Sequence, residues 1–126
     1  MIPKSQNTIL VVEDEPNTRY LVTSLLADEG YRVLTAADGA QAVAEAKEHA
    51  PDLVLLDWML PDQTGEQVAR TIREHRPDQR IVVLTADGRA PEKARLVGAI
   101  GYPTKPFEVT ELLEIVAEAL SEPEPA

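Results

Sequence analysis

Five side chains stand where a chain of alternating strands and helices delivers its chemistry. Glu13 and Asp14 follow the apolar run Thr8-Ile9-Leu10-Val11-Val12, and Asp57 follows Leu53-Val54-Leu55-Leu56. Thr85 ends a run that begins at Arg80, and Lys105 lies between a short apolar stretch and the last helical pattern. In an open α/β sheet, ligands sit beyond the carboxyl ends of the strands, near the point where strand order reverses. Three carboxylates, a hydroxyl and an ammonium are therefore expected on one rim. Carboxylates with room for water make an oxygen-only site of the kind Mg²⁺ prefers, octahedral and shared with phosphate oxygens. A carboxylate beside such a metal can also act as a nucleophile and form an aspartyl phosphate. Phosphoryl transfer then needs in-line positioning and neutralisation of the equatorial oxygens, which the metal, Lys105 and Thr85 would supply. An ionised Asp needs no general base.

Each residue also has a plainer reading. Glu13-Asp14 would serve equally as turn residues capping the next helix, and Thr85 at a strand end follows from β-propensity alone. Asp57 fits the plain reading less well. It follows four apolar residues and precedes Trp58-Met59-Leu60, a desolvated frame in which a lone carboxylate is costly unless paired with a cation or metal. A solvated lysine would have no positional reason to stand at 105, between strand and helix and before a proline.

The elements that must position these groups follow from periodicity. Thr8–Val12, Tyr31–Ala36, Asp52–Asp57 and Arg80–Thr85 read as strands, with a small fifth near Ile100-Gly101-Tyr102; runs apolar throughout mark strands covered on both faces. Between them, Asn17 opens a helix carrying Leu21, Val22, Leu25 and Leu26, closed by Gly30 as a left-handed cap. Asp38 caps a helix through Ala40, Val43, Ala44 and Lys47 that Pro51 ends. Val68, Ala69 and Ile72 mark a third helix stopping before Pro77. A short fourth is expected from about Pro91 to Val97, and Phe107–Leu120 is the last, with Val109, Leu112, Leu113, Val116 and Leu120 on one face. Five strands alternating with five helices specify an α/β domain with a parallel sheet and right-handed crossovers. Residues 1–7 read as a disordered start, 8–120 as the domain, and 121–126, acidic and proline-rich, as a tail or linker stump.

Composition narrows the setting. The chain has 126 residues, 12 basic and 22 acidic, a net charge of −10 and no cysteine. One domain fits that length, and no disulfide or thiolate chemistry is available. The acid excess argues against the chain itself gripping nucleic acid or an anionic membrane. Apolar runs are strand-sized and Met1-Ile2-Pro3-Lys4 is no signal peptide, so a cytoplasmic location is expected.

Jointly, Val-Glu-Asp-Glu (12–15), Leu-Leu-Asp-Trp-Met-Leu-Pro-Asp-Gln-Thr-Gly (55–65), Leu-Thr-Ala (84–86) and Gly-Tyr-Pro-Thr-Lys-Pro-Phe (101–107) resemble the receiver domains of two-component response regulators, over essentially residues 8–120. The resemblance implies a flavodoxin-like, doubly wound five-stranded parallel sheet of order 2-1-3-4-5 with five helices. It implies that Asp57 accepts a phosphoryl group from a histidine kinase or histidine phosphotransfer protein. Asp14, Asp57 and the backbone carbonyl of Met59 would ligate Mg²⁺, with Mn²⁺ as a substitute, and Glu13 would act through a water. Thr85 and Lys105 would hold phosphoryl oxygens, and a cis Lys105–Pro106 bond would aim the ammonium. Thr85 and Tyr102 match the switch positions, through which the face made by the fourth helix, fifth strand and fifth helix would act on a downstream protein or output domain. Met59 and Asp87 occupy positions that tune dephosphorylation. Catalysis would be limited to the domain's own phosphorylation and dephosphorylation.

The chain departs from the family pattern in two places. The interval from Thr85 to Lys105 is short, and Gly88 and Pro91 disfavour helix there, so the fourth helix should start late. Thr64 replaces the more common acidic or serine residue before Gly65 and still suits a helix cap. A haloacid-dehalogenase-type hydrolase would need a second acid where Met59 stands, and a pseudo-receiver would lack site residues that are all present. His49 and His75 each fall in a last helical turn, where a cation suits the dipole. Trp58 is expected to pack at the surface near the loops. Seven of the twelve basic residues lie between Arg70 and Arg95, while the last helix and tail are acidic. Solvated faces account for this, and so would a phosphorylation-dependent dimer in place of a monomer.

Overall fold

The computed structural model of the chain describes residues 7–58, 60–84 and 109–121. Along them run β1 (Thr8–Val12), α1 (Pro16–Asp28), β2 (Arg32–Ala36), α2 (Gly39–His49), β3 (Leu53–Asp57), α3 (Gly65–His75), β4 (Ile81–Leu84) and a final helix, α4 (Val109–Ser121), which is the fifth helix of the sequence pattern. The strands form one parallel, flavodoxin-like sheet of order β2-β1-β3-β4. The expected strand at 100–102 and helix at 91–97 lie outside the described residues.

The strands are apolar on both faces because both faces are covered. Leu10, Val12, Val54, Leu56, Ile81 and Val83 pack with Ala42 and Ala46 of α2 and with Val68, Ala69 and Ile72 of α3. The alternate residues Ile9, Val11, Leu53, Leu55, Val82 and Leu84 pack with Val22 and Leu26 of α1 and with Leu112, Val116 and Ala119 of α4. Each such fully buried aliphatic side chain contributes about 1.5–3 kcal/mol. Among the described strands β2 lies at one edge of the sheet, and Arg32 and Thr35 on it are exposed.

The helix ends are chemically explicit. Glu15 caps α1, with Pro16 in the first turn, where its missing N–H costs nothing. Asp38 caps α2 by accepting from Gln41 N at 2.8 Å, and Thr64 caps α3 in a reciprocal box with Gln67. Gly30 takes φ 93 after α1, the left-handed conformation that its lack of a Cβ permits. Ala50 closes α2 in the same region, at φ 46, which the sequence does not announce.

Two faces differ from the sequence pattern. Leu21 is 50% exposed, with Tyr20 beside it at 77%, while Val22 and Leu26 are buried as expected. The buried face of α2 is Gly39, Ala42 and Ala46, leaving Ala40 and Ala44 outside. Alanine at 40, 42, 44 and 46 gives that helix no clear hydrophobic phase, so packing chose it. Among the described residues, no helix is long and apolar enough to cross a membrane.

Candidate functional site

The chain passes from β1 to β2 on one side of the sheet and then crosses to β3 on the other. The crevice at the C-terminal ends of β1 and β3 is therefore the switch point. Val12 pairs with Leu56 across those strands, so the next residues, Glu13 and Asp57, lie side by side. Both continue the alternation of Val11 and Leu55, which directs them to the same side of the sheet. Asp14 completes the group. One carboxylate oxygen each from Glu13, Asp14 and Asp57 lies within 4.8 Å of the other two.

These acids differ in exposure. Glu13 is 1% and Asp57 6% exposed, whereas Asp14 is open to solvent. The pocket thus has a dry floor and one wet wall. Like charges held this close repel, and a cation among them relieves the repulsion. The donor set is oxygen only, with buried carboxylates and an exposed partner leaving room for water, which fits a hard divalent ion such as Mg²⁺.

Backbone bonds hold the acids in place. Glu13 N donates to Ala36 O at 3.1 Å, tying the end of β1 to the end of β2, and Trp58 N donates to Leu84 O at 3.1 Å, tying Asp57 to β4. The Arg19 guanidinium reaches back from α1 to donate to Glu13 O at 2.9 Å and Asp14 O at 3.4 Å. Gly65 N donates to Trp58 O at 2.8 Å, closing the β3–α3 loop. A Cβ on Gly65 would stand 2.9 Å from Trp58 Cα and 3.0 Å from Asp57 O, so only glycine allows this approach.

The third acid of the run has a different task. Glu15 accepts from Asn17 N at 3.1 Å, Thr18 N at 2.6 Å and Thr18 Oγ1 at 2.9 Å. These bonds, that from Thr18 N foremost, hold its carboxyl below its ordinary pKa. Sequence reasoning missed this cap, although Glu-Pro before an apolar helical pattern is a legible signal. It also missed Asp62, which accepts from Gly39 N at 2.8 Å and Ala40 N at 3.0 Å; no local signal reveals a partner so distant in sequence. Trp58 departs from expectation as well: it is 8% exposed and belongs to the core on the α2 and α3 side, with its ring close against Gly65. His49 and His75 close their helices, and His49 stands 3.4 Å from Glu45. Met59, Thr85, Asp87, Tyr102, Lys105 and the Lys105–Pro106 bond lie outside the described residues.

A parallel sheet of this order with three acids at its switch point matches one family of signalling domains. Residues 9–117 match the response regulator receiver domain family, and the chain belongs to it. The chain is 39% identical over 108 residues to the probable transcriptional regulatory protein TcrX of Mycobacterium tuberculosis (strain ATCC 25618 / H37Rv), covering 84% of this chain and 46% of that protein. It is similar to the response regulator TrrA of Thermotoga maritima in complex with Mg²⁺ and BeF (37% identity, TM-score 0.84, 91% of this chain and 100% of that one). It is also similar to the receiver domain of the sensor histidine kinase PA1611 of Pseudomonas aeruginosa PAO1, with magnesium coordinated in the active site cleft (34% identity, TM-score 0.84, 92% and 98%).

These relatives correct one expectation. The acid excess argues against nucleic acid among the partners, yet the curated relatives are named transcriptional regulatory proteins. The chain spans about half the length of the curated relatives it matches. Charge in one half of such a protein carries no information about the surface of the other, so the exclusion does not hold for the whole.

Proposed function

We propose that this receiver domain is a phospho-acceptor in which Asp57 takes a phosphoryl group from a phosphohistidine donor, on a histidine kinase or phosphotransfer protein, in an Mg²⁺-dependent reaction. The observation that carries the reading is the gathering of Glu13, Asp14 and Asp57, one oxygen each within 4.8 Å of the others, at the sheet's switch point. An Asp57 oxygen attacks phosphorus, the donor P–N bond breaks, and its electron pair stays on the imidazole. Asp57 is buried on an apolar strand end and held by the Trp58 N bond to Leu84 O, so its carboxylate meets the phosphoryl group in one orientation. Asp14, Asp57 and the Met59 carbonyl would hold Mg²⁺, with Glu13 acting through water and Mn²⁺ able to substitute. Bound there, the ion would neutralise phosphoryl oxygens. Thr85 and Lys105 complete the neutralisation, the latter aimed by a cis bond to Pro106.

The domain covers residues 8–120, with a fifth strand and an additional helix completing the order 2-1-3-4-5. Thr85 and Tyr102 carry the switch to the face of the last two helices and last strand, and Met59 and Asp87 tune the lifetime. The reaction is the domain's own phosphorylation and dephosphorylation, in the cytoplasm, and its output is control of transcription, as the names of its relatives suggest. With Mg²⁺ and acetyl phosphate, intact-mass spectra should show one acid-labile phosphoryl adduct that Asp57→Ala abolishes. An undiminished adduct in the variant refutes the assignment of Asp57. Lys105→Ala should fold yet lose most of its spectral response to beryllofluoride, and a normal response contradicts its role.

A further inference from the structure

The loop from Trp58 to Thr64 joins the phospho-acceptor strand to α3 and is anchored on two sides. On the sheet side are the bonds of Trp58 N to Leu84 O and Gly65 N to Trp58 O. On the other side Asp62 spans to α2, its Oδ1 accepting from Gly39 N and its Oδ2 from Ala40 N, 23 and 22 residues away in sequence. Gln63 lies directly over Gly39, where a Cβ would meet its Cγ, Nε2 and Cδ. α2 in turn begins just after Ala36, whose carbonyl accepts from Glu13 N. A chain of bonds therefore runs from the Asp57 loop through Asp62 to the start of α2, and on through the end of β2 to Glu13.

We propose that Asp62 is a positioning residue of the phosphoryl site, a carboxylate clamp that fixes the loop after Asp57 against α2 and so sets the spacing between Asp57 and the Glu13-Asp14 pair. This rests on the reading of that rim as an Mg²⁺ and phosphoryl site. The clamp is charge-assisted and uses both oxygens at a helix N-terminus, where two orphan donors would otherwise face water. Those N–H groups, Gly39's foremost, hold the Asp62 carboxyl below its ordinary pKa. Asp38 supplies the contrast: it caps the same helix through Gln41 N and has no described bond to the loop.

The experiment compares Asp62→Ala, Asp62→Asn and Asp38→Ala with the wild type. Mg²⁺ alone is titrated against the fluorescence of Trp58, the only tryptophan, and amide hydrogen exchange is followed at Trp58 and Gly65 without metal. Asp62→Ala should weaken Mg²⁺ binding roughly tenfold, the low end for groups that act behind the ligands, and speed exchange at both amides. Asp62→Asn, which keeps one acceptor, should fall between. Asp38→Ala should lower the melting temperature while leaving both readouts at wild-type values. Equal effects from Asp62→Ala and Asp38→Ala, or none from Asp62→Ala, overturn the clamp. A wild type indifferent to Mg²⁺ defeats the phosphoryl-site reading instead, and the exchange arm still decides whether Asp62 holds the loop.

Discussion

Gly65→Ala tests how tightly the fold holds Asp57, the proposed phospho-acceptor. A Cβ at this position would stand 2.9 Å from Trp58 Cα, 3.0 Å from Asp57 O and 3.1 Å from Trp58 Cε3. Carbon atoms rest at about 3.5 Å or more, so the loop and α3 must part by roughly 0.6 Å. Two of the three obstacles are backbone, and that backbone is pinned to Leu84 O, so rotation of a side chain cannot relieve the clash. The overpacking costs about 1–3 kcal/mol, offset by about 0.4–1 kcal/mol because alanine restricts the unfolded chain more than glycine. The net loss of stability is therefore modest and the domain should still fold. Chemistry should suffer more. A misplacement of about 1 Å costs on the order of 10²-fold, so a shift of about 0.6 Å predicts roughly tenfold slower phosphorylation. The assay is the rate of adduct formation with Mg²⁺ and acetyl phosphate, followed by intact mass well below the melting temperature of both proteins. A variant less stable than wild type but phosphorylated at the same rate would show that the strain relaxes away from Asp57, and would refute the reasoning.

Further outcomes follow from the helix ends. Ala50→Gly should stabilise the domain by about 0.5–1 kcal/mol, because φ 46 before Pro51 strains a residue with a Cβ; a lower urea midpoint would contradict this. Thr64→Ala removes the acceptor for Gln67 N at 3.2 Å and breaks the box, costing about 1 kcal/mol that Thr64→Ser restores. The folded Asp62 carboxyl lies below its ordinary value of 3.8, so its contribution is present above that pH and lost as the pH falls through the folded pKa. The stability curves of wild type and Asp62→Ala should therefore be separate at neutral pH and converge in acid, as urea midpoints across the range would show. A constant gap would mean that the charge on Asp62 contributes nothing.

What could be read directly from the sequence was whatever depends on local pattern. Unbroken apolar runs at 8–12, 53–56 and 81–84 require strands covered on both faces, and the helical spacing between them requires crossovers, so the parallel α/β architecture was legible. So was the gathering of Glu13, Asp14 and Asp57, since these acids follow such runs; Thr85 and Lys105, expected on the same rim, lie outside the described residues. Tertiary structure decided what local pattern leaves open. Glu13, Asp14 and Glu15 are adjacent acids of one chemical type; the register of Val12 with Leu56 brings the first two to Asp57 while the third turns to cap α1. The alanines of α2 allow more than one buried face, and contact with the sheet and α3 selects Ala42 and Ala46. Asp62 carries no local signal of its partners, and only folding brings the Gly39 and Ala40 amides within 3.0 Å of its carboxylate. Periodicity encodes which residues are buried, because burial repeats with the backbone. Register, helix phase and bonds between distant segments are set only when whole elements pack together.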